Sequence, residues 1–342
     1  MDDRQRLLIV GNPLPWHVGA YLLCAASASG LSAQICDVRA AFEAPWLMLK
    51  FNWWFGGHRP PRLHEFSRRV LEVCRSFRPR WLLCTGIAPV ARWALKEVAQ
   101  EGILRINFLT DDPWNPAHRA PWFGDALPQY DRVFSPRRSN LEDLKRIGCP
   151  QVAYLPFAYD PAVHYPDPPC TTLEWAQFAS DIVFIGGADR DRLPVITALI
   201  RAGFRVALYG GYWDRLPETR AYARGHADPY VLRKAVGGAK VVLCLVRRAN
   251  RDGHAMRTYE IPAMRACMLT EDTAEHRDIF GEEGRAVLYF RTIAEMLDKL
   301  RWLLDHPEER VRLAEGAYRL ITDGSNTYAN RLAAMLGART IS

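Results

Sequence analysis

Much that would assign a function at once is missing from this sequence. No GxGxxG turn follows the first predicted strand, where Gly11-Asn-Pro-Leu-Pro-Trp-His-Val-Gly19 stands instead. A nicotinamide-dependent oxidoreductase is therefore disfavoured. There is no GxxxxGK[ST] phosphate loop and no GxSxG elbow, so P-loop phosphotransfer and serine acyl transfer both lose their usual carriers. The eight cysteines, at 24, 36, 74, 84, 149, 170, 244 and 267, contain no CxxC pair. That spacing points to neither a zinc site nor a redox motif. Cys36, Cys84 and Cys244 lie inside apolar runs and read as small buried hydrophobes, which suits a reduced, cytoplasmic protein. No run of about 20 apolar residues exists, so no membrane span is expected. The charged start, Met1 to Arg6, leads into a strand without the apolar core of a secretion signal. Solenoid-period repeats are lacking, as are zinc-finger, RNA-recognition and basic-heptad patterns. Nucleic acid is not an expected partner, although the net charge is +7.

What is there reads as an α/β protein. A chain of 342 residues that is 49% hydrophobic and 24% charged has room for two cores. Apolar strand candidates alternate with helical spacing from the start: Leu7–Gly11, Ala33–Val38, Trp81–Cys84, Arg105–Leu109, Arg132–Ser135 and Val152–Leu155. A second series begins at Asp181–Ile185 and continues through Arg205–Tyr209, Val241–Val246, Met268–Thr270 and Ala286–Phe290. Such alternation predicts βαβ units and parallel sheets. Five prolines between Pro156 and Pro169 interrupt it. The expected division is a first domain over 1–160, a linker over 161–180, a second domain over 181–325 and a closing helical segment over 326–342. Two doubly wound lobes facing each other across a cleft are the simplest architecture.

Two regions stand apart in composition. Residues 42–58 hold Trp46, Leu47, Met48, Leu49, Phe51, Trp53, Trp54 and Phe55. Core or cleft lining is the favoured expectation; the alternative is a loop that touches a lipid surface or covers an acceptor. Seven arginines, Arg59, Arg62, Arg68, Arg69, Arg75, Arg78 and Arg80, follow within 22 residues. That density suits a phosphate-bearing ligand or an anionic surface, and equally a solvated helix face.

Three stretches can carry chemistry. Gly186-Gly187 ends a buried strand and lets the backbone approach a ligand, with Arg190 and Arg192 at the start of the next helix. In open α/β sheets, anions bind at this end of the strands, by helix N-termini. Arg257-Thr-Tyr-Glu-Ile-Pro262 opens a helix with Thr258 as candidate N-cap and Pro262 expected in its first turn. There Glu260 is either a dipole-stabilising acid or a double acceptor for a ribose diol. Thr110-Asp-Asp-Pro-Trp114 places Asp111 and Asp112 at the carboxyl end of a strand, where one of them could serve as a general base or merely build a turn. His17 and His118 lie in loops and read as surface histidines.

The order of motifs in the second half resembles a known family. Arg257–Pro262 is followed by Leu269-Thr270 and then by Asp278-Ile-Phe-Gly-Glu-Glu-Gly284. After these come Leu297 to Arg310, which closes in His-Pro-Glu-Glu-Arg, and Asn326-Thr-Tyr328 with Arg331. This succession, with the Asp-Asp-Pro-Trp stretch and Asp131–Ser135, resembles the CgeB-like (spore maturation protein-type) glycosyltransferases over about residues 104–336. Asn326 stands where that family usually has His, and Ala266 where it usually has Gly. No second glutamate completes an E-x7-E pattern around Glu260, since Asp252 stands eight residues before it and Met268 eight after, so a retaining mechanism is not carried over. The resemblance implies a GT-B fold, transfer of a sugar from a nucleoside diphosphate-sugar to a hydroxyl acceptor, no resident cofactor and no metal requirement. It implies sugar-donor contacts at Gly186, Gly187, Arg190, Arg257, Thr258, Tyr259 and Glu260, with Asp111 or Asp112 on the acceptor. The acceptor itself (glycan, lipid-linked or protein) is not specified. A nucleotide-sugar 2-epimerase and a non-catalytic carbohydrate- or partner-binding module are the competing expectations. The location expected is cytoplasmic, with a peripheral membrane contact as its variant.

Overall fold

The computed structural model describes residues 5–337. Residues 1–4 of the charged start, and residues 338–342 of the expected closing segment, lie outside them. The chain forms two compact units. The first runs to Pro156 and takes in Ala249–Arg251 and the helix Tyr328–Leu336. The second comprises Phe157–Arg248 and Asp252–Thr327.

Six strands build the first unit: β1 Arg6–Gly11, β2 Ser32–Asp37, β3 Trp81–Thr85, β4 Leu104–Phe108, β5 Arg132–Ser135 and β6 Val152–Tyr154. They stand in the order β2-β1-β3-β4-β5-β6, and every pairing is parallel. Parallel neighbours need crossovers, which the helices Val18–Ala28, Leu63–Phe77 and Arg92–Gln100 supply in turn. Leu7, Leu8, Ile9 and Val10 of β1 are fully buried in succession, as the centre of a covered parallel sheet requires. Each contributes about 2 kcal/mol by leaving water. Helix Leu63–Phe77 turns Phe66, Val70, Leu71 and Cys74 to this core and its arginines outward. The helix Tyr328–Leu336 docks here as well: the Tyr21 and Tyr328 rings stack at 5.1 Å, and Arg132 donates to Met335 O.

The second unit holds β7 Ser180–Ile185, β8 Val206–Tyr209, β9 Ala239–Cys244, β10 Met268–Glu271 and β11 Leu288–Phe290. Their order is β11-β10-β9-β7-β8, again wholly parallel. Both sheets reverse direction once, the first between β1 and β3 and the second between β7 and β9. A ligand crevice is expected at the carboxyl ends of the strands at each reversal.

Two expectations are corrected. Residues 161–180, expected as a linker between domains, lie within the second compact unit. Asp167 accepts from Lys234 Nζ at 2.8 Å and from Arg233 Nε at 3.3 Å, and Thr171 caps a helix over Thr172–Phe178, all within the second unit. Prolines broke the hydrophobic period there without loosening the chain, because charged side chains hold it. The aromatic stretch is likewise no core lining: it forms a helix over Trp46–Trp54 with no buried residue. Its apolar residues surround the helix instead of forming a stripe, so no single face could be covered by a sheet. Among the described residues, no helix is long and apolar enough to cross a membrane.

Candidate functional site

At the β7/β9 reversal of the second unit, the chain leaves β7 through Gly186 and Gly187. Gly186 N–H donates to Tyr209 O, and Trp213 Nε1 donates to Gly186 O at 2.7 Å. Gly210, at φ +133°, lies so close that a Cβ there would collide with Gly186 O. The turn is therefore fixed from its far side. Arg192, the first residue of helix Arg192–Arg201, is buried and donates to Gly187 O at 3.2 Å and to Leu245 O at 3.4 Å. Burial pulls its guanidinium below the usual arginine range, with Asp189 opposing. Arg247 places Nε 3.6 Å from the same Asp189 carboxylate and stays partly exposed. Arg190, the expected phosphate ligand, is exposed. The cations held at the glycine turn are Arg192 and Arg247.

The next loop leads to helix Arg257–Ala263. Thr258 is not its N-cap, since the helix already includes Arg257. Thr258 Oγ1 accepts from Ala255 N–H at 3.0 Å and lies 3.0 Å from His276 Nε2. His276 Nδ1 donates to Glu271 O at 2.8 Å, which leaves Nε2 to accept the Thr258 hydroxyl proton. Burial pushes the His276 pKa down to about 4, so the ring is neutral. Pro262 falls in the second turn, and the helix stops one residue later. Tyr259 is buried edge-on to His254 at 5.8 Å. His254 in turn lies 2.5 Å from Glu275 and accepts from Phe157 N–H. Glu275 fills the space that a side chain at Gly253 would need.

Glu260 has no exposure at all. The Arg257 guanidinium donates to its Oε2, one turn back along the same helix. Its Oε1 makes no hydrogen bond within normal reach, and His164 Nε2 lies 3.4 Å away. His164 Nδ1 accepts from Asp160 N–H at 3.0 Å, so the neutral ring carries its proton on Nε2, toward Glu260. Burial and then the Arg257 charge drive the His164 pKa down to about 3. A carboxylate with one half neutralised and the other facing a weak donor is able to accept hydrogen bonds from a ligand hydroxyl.

In the first unit, Asp111 and Asp112 follow β4 but differ in use. Asp112 is fully buried. It accepts from Arg251 at 2.7 and 3.0 Å, from Asn140 Nδ2 at 2.8 Å and from Trp114 N–H at 3.0 Å. With Oδ1 accepting three of these bonds and Oδ2 one, Asp112 anchors the segment Ala249–Arg251. Asp111 is half-buried, with the Thr110 hydroxyl 3.4 Å from Oδ2. Gly86, in the left-handed region at φ +60°, leaves space for these two groups: a Cβ would sit 3.0 Å from Asp111 Oδ2. His17, after β1, is close enough to feel the Asp111 charge, which raises its pKa while burial lowers it more. Asp111, Gly86 and His17 thus share the carboxyl ends of β4, β3 and β1.

Residue spacing put Gly186, Gly187, Arg257, Tyr259 and Glu260 at one end of one sheet, and the structure places them there. It adds His164 and Arg247. Arg192 stands beside Arg190 among the sequence candidates; His164 sits almost 100 residues before Glu260 and carries no local signal.

Residues 192–337 match the family model described as glycosyl transferase-like. No curated protein matches the chain. Among solved structures, Anabaena Alr3699/HepE in complex with UDP-glucose is 10% identical with a TM-score of 0.64, over 98% of this chain and 100% of that one. An α,α-trehalose 6-phosphate synthase from Burkholderia multivorans is 11% identical with a TM-score of 0.62, over 98% and 96%. A proposed UDP-N-acetylglucosamine 2-epimerase of Listeria monocytogenes is 14% identical with a TM-score of 0.59, over 98% and 96%. These likenesses establish the fold as that of GT-B structures, two parallel-sheet Rossmann-like units.

Proposed function

We propose that the chain is a glycosyltransferase that moves a sugar from a nucleoside diphosphate-sugar to a hydroxyl acceptor, with the sugar donor held by the second unit. The carrying observation is Glu260, buried at the carboxyl end of a parallel sheet with one oxygen short of a hydrogen bond. The family model over 192–337 supports the reading. Glu260 accepts the two ribose hydroxyls, and the backbone at Gly186-Gly187 admits the diphosphate. Arg257, seated on Glu260, exchanges that partner for a phosphate oxygen when the nucleotide arrives. Arg257, Arg247 and Arg192 then face the negative charge that builds on the leaving diphosphate. Asp111 orients or deprotonates the acceptor. These cations supply the counter-charge that a metal would, so the proposed reaction is metal-independent and should survive EDTA. The finer kinship with CgeB-like enzymes rests on the ordered motifs between 257 and 331 and belongs to the same proposal. So does a cytoplasmic location, resting on six buried thiols among apolar residues.

A panel of UDP, GDP, ADP, dTDP and CDP in thermal shift tests the binding half. A nucleotide at 100 times its Kd stabilises the native state by about 2.7 kcal/mol. One nucleotide should raise Tm in the wild type and raise it much less in Glu260→Gln; no shift with any of the five rejects the reading. The epimerase-like neighbour keeps a second reading open to test. Incubation of the nucleotide-sugar without acceptor would give a C2 epimer under that reading and none under ours.

A further inference from the structure

The function proposed above uses no residue of the aromatic helix Trp46–Trp54. Trp46, Leu47, Met48, Phe51, Trp53 and Trp54 are all exposed, and Phe55 follows at 80% exposure. Elsewhere among the described residues, exposed large hydrophobics are scattered through the sequence. Monomeric proteins rarely leave so continuous an apolar run in water unless it meets something. The excursion is closed at its base, where Arg62 N–H donates to Ala41 O at 3.1 Å. Its exit is fixed as well: the Trp53 and His58 rings lie 4.2 Å apart, and Trp122 Nε1 donates to His58 O. Gly57 and His58 turn the chain in consecutive left-handed conformations, φ +59° and +56°. The helix is thus a built projection on a pinned base.

Its surroundings are basic. Residues 41–80 hold eight Lys and Arg against three Glu, which is +5 of the chain's +7. Lys50 lies within the helix, its Nζ 4.7 Å from the Trp46 ring centre. Arg59, Arg62, Arg68 and Arg69 are exposed. Arg62, Arg68 and Arg69 line a groove of about 450 Å³ together with Glu43, Glu65 and Glu72, so the net positive charge of this region comes from the arginines and Lys50 outside the groove as well.

We propose that this helix seats the protein on an anionic lipid surface, with its aromatic side chains at headgroup depth and Lys50, Arg59, Arg62, Arg68 and Arg69 on lipid phosphates. Nine residues rise only about 13.5 Å, under half of a bilayer's apolar core, so the helix lies in the interface and does not span. Trp is the side chain best suited to that depth, and the helix has three. A second copy of the chain does not suit the face, because it would oppose two basic surfaces.

The test uses the full chain, without nucleotide, and sedimentation with vesicles of phosphatidylcholine alone or with 30% phosphatidylglycerol. Binding to the anionic vesicles should be at least tenfold stronger and should fall at high salt. Trp54→Ala with Phe55→Ala should weaken it at least tenfold, and Arg68→Ala with Arg69→Ala about threefold. Both double variants change exposed residues and should keep the wild-type Tm. No binding to anionic vesicles, equal binding to neutral ones, or full binding by the aromatic variant each overturns the proposal. So does a wild-type dimer that the aromatic variant disperses, which would give the face to a second copy. Nucleotide binding is read separately, so neither proposal's failure can be mistaken for the other's.

Discussion

In the second unit the candidate carboxylate, Glu260, is fully buried between Arg257 and His164, whereas in the first unit Asp111 is half-exposed beside a threonine hydroxyl. Both stand at the carboxyl ends of parallel strands, at or beside the reversal of their sheet. A buried carboxylate must be neutralised by neighbours, which fixes its orientation before any ligand arrives. A half-exposed one keeps water and leaves room for an acceptor hydroxyl. The first arrangement suits a ligand group of constant geometry, such as a ribose; the second suits proton transfer to acceptors that vary.

The largest effect expected from this contrast is on the exposed acid. Asp111→Asn should lower kcat by about 10²–10⁴, the usual worth of a general base, while stability stays within about 0.5 kcal/mol. Steady-state transfer assays beside urea unfolding measure both. Full activity in this variant would remove Asp111 from the chemistry and leave His17 as the group to test. Next comes Glu260→Gln, which keeps shape and loses charge. Charge-assisted hydrogen bonds of about 1.5–3 kcal/mol convert to a loss of about 10–100-fold in nucleotide affinity. Calorimetric titration reads this directly, and an unchanged Kd would break the comparison at its buried end. Third, Asp112→Ala should cost about 2–3 kcal/mol of stability in urea. Breaking a buried pair usually costs 3–5 kcal/mol, but Arg251 is 40% exposed and regains water. If this variant kept its stability and lost its activity, the two adjacent acids would have to exchange roles.

Those adjacent acids show where sequence reading stops. The strands were legible because their apolar runs are buried on both sides: Leu7–Gly11 and Asp181–Ile185 fall within β1 and β7. Three short helices were not. Arg92–Gln100, Leu141–Arg146 and Ala274–Phe280 span too few turns to show a period. Of the site, the parts close in sequence could be named, namely Gly186-Gly187 and Arg257 to Glu260. Which of Asp111 and Asp112 is engaged depends on Arg251, 139 residues away from Asp112, and no local pattern records that. The aromatic helix failed in the opposite sense: its composition reads as core, and only its distribution around the helix axis says otherwise.

The smallest effect concerns His164, which orients Glu260 and should touch no ligand itself. His164→Gln should weaken nucleotide binding by only about threefold, because the glutamine amide can still donate toward the Glu260 carboxylate. Its clearer signature is in the pH dependence of stability. His164 titrates at about 3 in the folded chain and His276 at about 4, against an ordinary value of about 6.5. Below pH 6.5 the unfolded chain takes up protons that the folded chain refuses. Each histidine therefore leaves stability intact above that pH and removes about 1.4 kcal/mol per pH unit as pH falls toward its folded value. Between pH 6 and 4.5 the pair should give a slope of about 2–2.5 kcal/mol per unit, and Gln at 164 should roughly halve it. The carboxylates held low, such as Asp272 at about 2, lose their contribution only below about pH 4 and stay out of this window. Urea midpoints at pH 7, 6 and 5 decide the matter. An undiminished slope in the variant would mean that His164 already carries a proton in the folded chain. Glu260 would then sit beside two cations, and its resemblance to a poised acceptor would be lost.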